Sequence, residues 1–316
     1  MKRLLVIRFS SLGDVVLVTG VIRLFKENNS NIIIDILTFD EYKDVFKNHP
    51  SISEVISIDR KLLYFKFFKK IVNVTQNYDY IVDLQKNIKT LPLSVIRFSN
   101  YYSCNKFSFK RRLFVHFKMC KSKLNTHITE RYIEAFSKIG EVFYNNIEDL
   151  RPVIYMDKKD NVKKRIILHP FASKKTKEWP YAYDLLRLLK NEGYDVVIVG
   201  KGNFQAFKGA INFANKTELQ ELIYEINKAV IIISTDSGPM HLAIALNKIV
   251  IAIFGSTTKE LGFYPPFKST YVIENKELSC RPCHVHGRNN CPQKHFKCMK
   301  EIYPENVMEL IATITS

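Results

Sequence analysis

No stretch of the 316 residues approaches the roughly 18–20 consecutive apolar positions that a membrane-crossing helix needs. A Gly-x-Gly-x-x-Gly turn is missing too, which removes the dinucleotide-binding fingerprint. Nowhere do two aspartates stand two apart, so the Asp-x-Asp pair that often holds a nucleotide diphosphate through Mg²⁺ is absent. There is no short-period repeat or low-complexity tract. The opening "MKRLLVIRFSSLGD" has a basic tip, but its apolar run is broken by Arg8 and soon meets Asp14. That is too short and too polar for a secretory signal, and a cytoplasmic location is expected.

What is present is basic charge. The net charge is +17, a field that favours nucleic acid, anionic headgroups or phosphorylated glycans. It is uneven: residues 106–124, "KFSFKRRLFVHFKMCKSKL", hold seven Lys/Arg and no acid, interleaved with Phe107, Phe109, Phe114 and Phe117. Such a segment suits an anionic membrane surface or an acidic acceptor; a solvated helix with one apolar side would look similar.

Apolar runs recur in alternation with helical stretches: 3–9, 31–37, 54–58 and 80–84, with helices at 15–27, 41–47 and 60–76. The pattern fades over 140–163, a candidate linker. It restarts with runs at 165–170, 195–200, 229–234 and 249–255, helices after Trp179-Pro180 and at 218–227 and 239–247, and a last helix at 304–314. Alternation of this kind gives βαβ units in a doubly wound α/β sheet. The expectation is two Rossmann-like domains facing a cleft, 1–150 and 151–316.

Open α/β sheets bind ligands beyond the carboxyl ends of their strands, and three such places stand out. After the first strand, Ser10, Ser11, Leu12 and Gly13 form a turn and Asp14 opens a helix. Asp14 is either an N-terminal cap worth about 1 kcal/mol or a carboxylate placed as general base. In "LHPFASKKTKEWP" (168–180), His169, Ser173, Lys174, Lys175 and Lys177 precede a helix; a lysine there is a point charge suited to phosphate, and a solvated basic loop is the plain alternative. In "IISTDSGPMHLAIALNKIVIAIFG" (232–255), Asp236 or Ser237 can cap a helix, Gly238 admits a ligand to the backbone, and Pro239 suits the first helical position. The free N–H groups of that helix make an anion site, with His241 on its first turn.

Taken together these motifs resemble the heptosyltransferase family, the ADP-heptose:lipopolysaccharide transferases of glycosyltransferase family 9. "LLVIRFSSLGDVVLVTGVIRLFK" is similar to the family's Ser-Leu/Met-Gly-Asp start, "KEWP" to its Lys-x-Trp-Pro, "IVDLQKN" (81–87) to its Asp-Leu-Gln segment, and "DSGPMHLAIALNKIVIAIFGST" to its best marker. The resemblance implies a GT-B fold whose first half binds the acceptor and whose second half binds the nucleotide sugar. Asp14 would deprotonate the acceptor hydroxyl, with inversion at the anomeric carbon and no catalytic metal. Lys177, Asp236, Ser237, Gly238 and His241 would hold the donor; Ser11, Gly13, Lys110, Arg111 and Arg112 would meet the acceptor. The implied partners are a nucleotide-sugar donor, a phosphorylated glycolipid acceptor and the inner membrane surface, touched peripherally. Two departures bear on the donor: Gln205 lies in "VGKGNFQAF" (199–207), where relatives often carry a Glu for the ribose, and "GST" replaces Gly-Pro-Thr. Alternatives within the same motifs are a protein acceptor or a nucleotide-sugar epimerase. A nucleic-acid-binding reading leaves "DSGPMH" unexplained.

Of six cysteines, Cys104 and Cys120 stand alone and read as free thiols. Cys280, Cys283, Cys291 and Cys298 cluster with a leading Cys-x-x-Cys, with His284, His286 and His295 interspersed. Three readings stand: a structural zinc or iron in a tetrahedral thiolate site, reduced free thiols, or disulfides, which a reducing compartment disfavours.

Overall fold

Leu4, Leu5, Val6 and Ile7 have no solvent exposure. A run apolar on both faces belongs inside a parallel sheet covered on both sides, and that is where it lies. A computed structural model describes residues 1–156, 162–202 and 210–315. The chain divides into two units, Met1–Lys106 with His127–Met156, and Phe107–Thr126 with Asp157–Ser316.

In chain order the elements up to residue 136 are β1 (Lys2–Ile7), α1 (Leu12–Asn28), β2 (Ile32–Phe39), β3 (Glu54–Ile58), α2 (Tyr64–Thr75), β4 (Tyr80–Asp83), the one-turn α3 (Leu93–Ile96), β5 (Tyr101–Ser103), α4 (Ser108–Phe117) and α5 (Ile128–Phe136). The first unit's sheet has the order β3-β2-β1-β4-β5 and is parallel throughout. α1 starts with a reciprocal cap, Asp14 at its third position accepting from the Ser11 N–H at 3.2 Å. Gly20 lets α1 touch backbone: a Cβ there would sit 2.1 Å from the Arg151 carbonyl oxygen. Residues 140–156, read from sequence as linker, are instead bound to α1. Arg23 Nη2 donates to the Asp149 carbonyl at 2.7 Å, the Val153 N–H to Thr19 Oγ1 at 2.8 Å, and Leu150 is fully buried. The stretch is polar because its outer side meets solvent while its backbone bonds the helix. Within the rest of that stretch, 157–161 lie outside the described residues.

The second unit continues with β6 (Arg165–His169), α6 (Ala182–Asn191), β7 (Asp195–Ile198), β8 (Ile211–Asn212), α7 (Leu219–Lys228), β9 (Ile231–Thr235), α8 (Gly238–Ala245), β10 (Ile249–Phe254), β11 (Thr270–Glu274), α9 (Lys297–Lys300) and α10 (Pro304–Thr315). Its sheet runs β11-β10-β9-β6-β7-β8, again all parallel. α6 buries Ala182, Leu185, Leu186 and Leu189, a one-sided helical stripe. That stripe shares a core with Trp179, Val307 and Ile311. α4 packs in this unit: Phe114, Val115 and Leu124 form a small cluster with Leu261.

Candidate functional site

At the carboxyl end of β1 the Asp14 carboxylate is almost enclosed, its side chain 13% exposed. Oδ1 accepts from Arg8 Nη2 at 2.7 Å and from the Tyr132 hydroxyl at 2.7 Å. Oδ2 accepts from the Ser11 hydroxyl at 2.9 Å and the Ser11 N–H at 3.2 Å. A carboxylate offers about four acceptor sites, so its capacity is filled. Burial alone would raise the Asp14 pKa; the Arg8 charge, helped by the Tyr132 and Ser11 bonds, outweighs it and holds the group below the usual carboxylate range. Tyr132, fully buried, is pushed well above its ordinary value by that burial and stays a neutral donor. The turn before Asp14 is fixed by Gln85, whose Oε1 accepts from the Phe9 and Ser10 N–H groups at 3.0 and 3.1 Å. Asp83 Oδ1 in turn takes the Gln85 and Lys86 N–H groups. "IVDLQKN" is thus the brace of the first turn.

A second constellation lies at the carboxyl ends of β6, β9 and β10. Lys177 Nζ pairs with Asp236 Oδ2 at 2.9 Å, and the Thr257 hydroxyl donates to the same oxygen at 2.7 Å. Burial would raise Asp236; the Lys177 ammonium, the Thr257 bond and nearby His241 together hold it low. Ser237 stands at the residue before α8 without a side-chain capping bond; its hydroxyl lies 3.1 Å from His169 Nδ1. His169 is buried, which lowers its pKa to about 4, so its imidazole is neutral at neutral pH. Gly238 and Pro239 open α8 and leave its first N–H groups free of helical partners; His241 is buried on its first turn.

The cysteine-rich segment frames this second site. Arg281 Nη2 bonds the Thr257 carbonyl at 2.9 Å and Glu274 at 2.7 Å, and its Nε bonds the Gly255 carbonyl. The Thr176 N–H donates to the Arg288 carbonyl at 3.0 Å, and the Arg288 N–H to Thr176 Oγ1 at 2.8 Å. Gly287, at φ +80°, closes on Lys177: a Cβ there would meet Lys177 Cδ at 2.9 Å. Burial, with the neighbouring Cys291 and Cys280, raises the Cys283 thiol; burial, against the opposing Arg281 charge, pushes Cys298 up to about 12. No three His, Cys, Asp or Glu among the described residues are arranged as a metal's ligand set. Cys298 is buried with Met299 in the apolar core, and the zinc or iron reading of the four thiols has no ligand cluster among the described residues behind it. Hydrogen bonds from Arg281 and Arg288 hold the loop.

The sequence-chosen residues fall into three groups. Ser11, Gly13 and Asp14 share one turn; Lys177, Asp236, Ser237, Gly238 and His241 share another site; Lys110, Arg111 and Arg112 ride on α4 in the second unit. Of these last, Arg111 is buried, its Nη1 bonding the Leu261 carbonyl at 3.2 Å, while Arg112 is exposed. Gln205 lies outside the described residues. Sequence reasoning left out Arg8, Tyr132, Thr257 and Arg281. Arg8 did leave a signal, a charge inside an otherwise apolar strand.

Residues 64–294 match the family model for glycosyltransferase family 9 (heptosyltransferase). The chain belongs to that family. This family 9 glycosyltransferase is 24% identical over 346 aligned positions to lipopolysaccharide heptosyltransferase 1 of Campylobacter coli, covering 98% of each chain. Its fold matches the crystal structure of a family 9 glycosyl transferase from Veillonella parvula DSM 2008, with a TM-score of 0.75 at 18% identity over 99% of this chain and 96% of that one. The structure of E. coli ADP-heptose lps heptosyltransferase II gives 0.68 at 20% identity over 99% and 98%. The α/β, GT-B architecture of two parallel-sheet units is therefore that of the heptosyltransferases.

Proposed function

We propose that this family 9 enzyme transfers a heptose from ADP-heptose to a phosphorylated glycolipid, the lipopolysaccharide core or a related glycan, with inversion at the anomeric carbon. The observation that carries the reading is the matched pair of strand-end sites: a shielded, ionised carboxylate in the first unit and a cation with a helix N-terminus in the second. The relatives' names supply the sugar and the acceptor class.

In the second unit the donor diphosphate sits at the start of α8, where unpaired N–H groups and the helix dipole favour an anion. Lys177 exchanges part of its hold on Asp236 for the departing diphosphate, and Ser237 and Gly238 allow close backbone approach. Asp236, fixed by Thr257, keeps the ammonium aimed. In the first unit Asp14 takes the proton of the acceptor hydroxyl as that oxygen attacks the anomeric carbon and ADP leaves. All its acceptor sites are filled, so one hydroxyl partner must turn away; Tyr132 and Ser11 can rotate their O–H bonds, whereas the Arg8 guanidinium keeps the carboxylate charged. Ser11 and Gly13 line the approach, and Lys110 and Arg112 attract acceptor phosphates. The enzyme works in the cytoplasm, against the inner face of the membrane.

Incubating purified protein with ADP-heptose and a deacylated, heptose-free core acceptor tests this. The acceptor should gain one heptose in mass, with an anomeric configuration opposite to the donor's. Release of free heptose without acceptor gain, or retained configuration, contradicts the reading.

A further inference from the structure

The first unit leaves large apolar side chains outside its core at one edge. Leu63 and Phe65, around the start of α2, are 72% and 77% exposed, and Ile88 and Val95, in the segment after β4, are 80% and 79% exposed. Single exposed apolar residues are ordinary; a group of this size gathered in one place is not. The two segments form one surface. The Tyr64 hydroxyl donates to the Ile88 carbonyl at 3.3 Å, and Phe67 and Leu93 turn inward into a single core cluster beneath them. Lys89 lies 5.1 Å from the Phe67 ring centre.

Within the two segments charge has one sign, with Asp59 and Glu41 flanking them at Arg60. Residues 60–78 contain five Lys/Arg and no acid, and residues 84–97 contain three and no acid. Arg60 is engaged by Glu41 and Arg97 by the Tyr78 carbonyl, while Lys61, Lys66 and Lys69 stand exposed. Aliphatic and aromatic tips ringed by ammonium groups suit a layer that offers phosphates outside and hydrocarbon within. A nucleic acid would leave Leu63, Ile88 and Val95 without partners.

We propose that this edge is a docking surface for an anionic phospholipid bilayer. Leu63, Phe65, Ile88 and Val95 enter the headgroup boundary, and Lys61, Lys66 and Lys69 meet lipid phosphates. The segments after β1, β3 and β4 all leave the carboxyl end of the same sheet, and Gln85 ties the last of them to the turn before Asp14. Docking therefore brings a lipid-borne acceptor to the Asp14 edge; that consequence rests on the proposed transferase activity, and the surface does not.

Flotation of the full chain with vesicles tests it. Vesicles of phosphatidylethanolamine with phosphatidylglycerol should carry the protein, less so as salt rises, and phosphatidylcholine vesicles should not. Replacing Lys66 and Lys69 by Gln should lower partition about 25-fold, at about fivefold per lysine. Phe65→Ser with Ile88→Ser should lower it about tenfold or more, with an unchanged urea midpoint because both side chains are exposed. Phe109→Ser with Phe117→Ser on α4 should change nothing. Failure of the unaltered chain to float, wild-type flotation of the Phe65/Ile88 variant, or loss only in the Phe109/Phe117 variant would overturn the proposal. Transfer to the deacylated acceptor should be unaffected by these variants; a fall matching the loss of flotation would make them acceptor contacts and overturn docking. A chain that floats as described but never transfers heptose leaves the surface standing and removes the transferase reading.

Discussion

At the scale of single residues, both key carboxylates owe their charge to one cation each. Asp14 is held low by Arg8 and Asp236 by Lys177, in each case against a burial penalty of opposite sign. For a carboxylate whose folded pKa is depressed, the ionised form persists until pH falls through that lowered value. Activity is accordingly expected to show no acid limb from Asp14 near pH 4–5, the range of a free carboxylate, in a pH profile of kcat/KM. Lys177→Ala leaves Asp236 buried without its cation, and should cost about 3 kcal/mol of stability as well as affinity for ADP. Lys177→Ala with Asp236→Asn should recover much of the stability in urea titration and none of the affinity. Tyr132→Phe removes one of the two movable donors on Asp14 but keeps the ring. It frees an acceptor site on Asp14 and should leave kcat at the wild-type level or above it while ADP binding is unchanged.

At the scale of elements, the site depends on segments that carry no chemistry themselves. Arg281 joins the Cys-rich loop to the Gly255–Thr257 turn and to Glu274. Lys118, past the end of α4, bonds the Arg281 and Pro282 carbonyls at 2.9 and 3.0 Å. Arg281→Ala should therefore weaken ADP binding and lower the urea midpoint, and Arg281→Lys should rescue only partly, since an ammonium cannot fork to several carbonyls. A calorimetric titration with ADP, run beside urea unfolding, reads both. The long buried strands and the helix starts at Asp14 and Ser237 were legible in sequence because their signals are local: continuous apolar runs, a cap, a Pro at the first turn. α5 was not assigned, although Ile128, Tyr132, Ile133 and Phe136 show helical spacing, and with it went Tyr132, 118 positions from Asp14. The edge strands β5 and β8, of three and two residues, are too short for their pattern to be read; β11, of five residues, is only half-buried and carries no long apolar run. Arg8 counted only as a break in an apolar run; its partnership with Asp14 exists because β1 and α1 fold back on each other.

At the scale of the whole molecule, burial keeps a histidine neutral in each unit. His49 in the first and His169 in the second are both lowered to about 4. Unfolded, each binds its proton near pH 6.5, so the unfolded chain holds more protons than the native one between these values. Stability is complete above about pH 6.5 and falls as pH drops toward 4, by roughly 3 kcal/mol per histidine. Denaturant midpoints across that window should show the loss, and His169→Asn should reduce it. The overall plan of two βαβ units was readable from strand–helix alternation, and the strand-end positions of Asp14 and Asp236 from the polar residues just beyond the apolar runs. The placement of residues 107–126 in the second unit was not, because it rests on Phe114, Val115 and Leu124 meeting Leu261 from far along the chain.

The central claim is that the two strand-end sites divide the work, with Asp14 acting on the acceptor hydroxyl and the Lys177–Asp236 site holding the donor. Single-turnover transfer by Asp14→Asn, measured beside its affinity for ADP, tests this most directly. The account predicts a rate at least about 100-fold below wild type with ADP affinity unchanged. A variant that transfers heptose at the wild-type rate, or one that loses ADP binding in step with the rate, would contradict it.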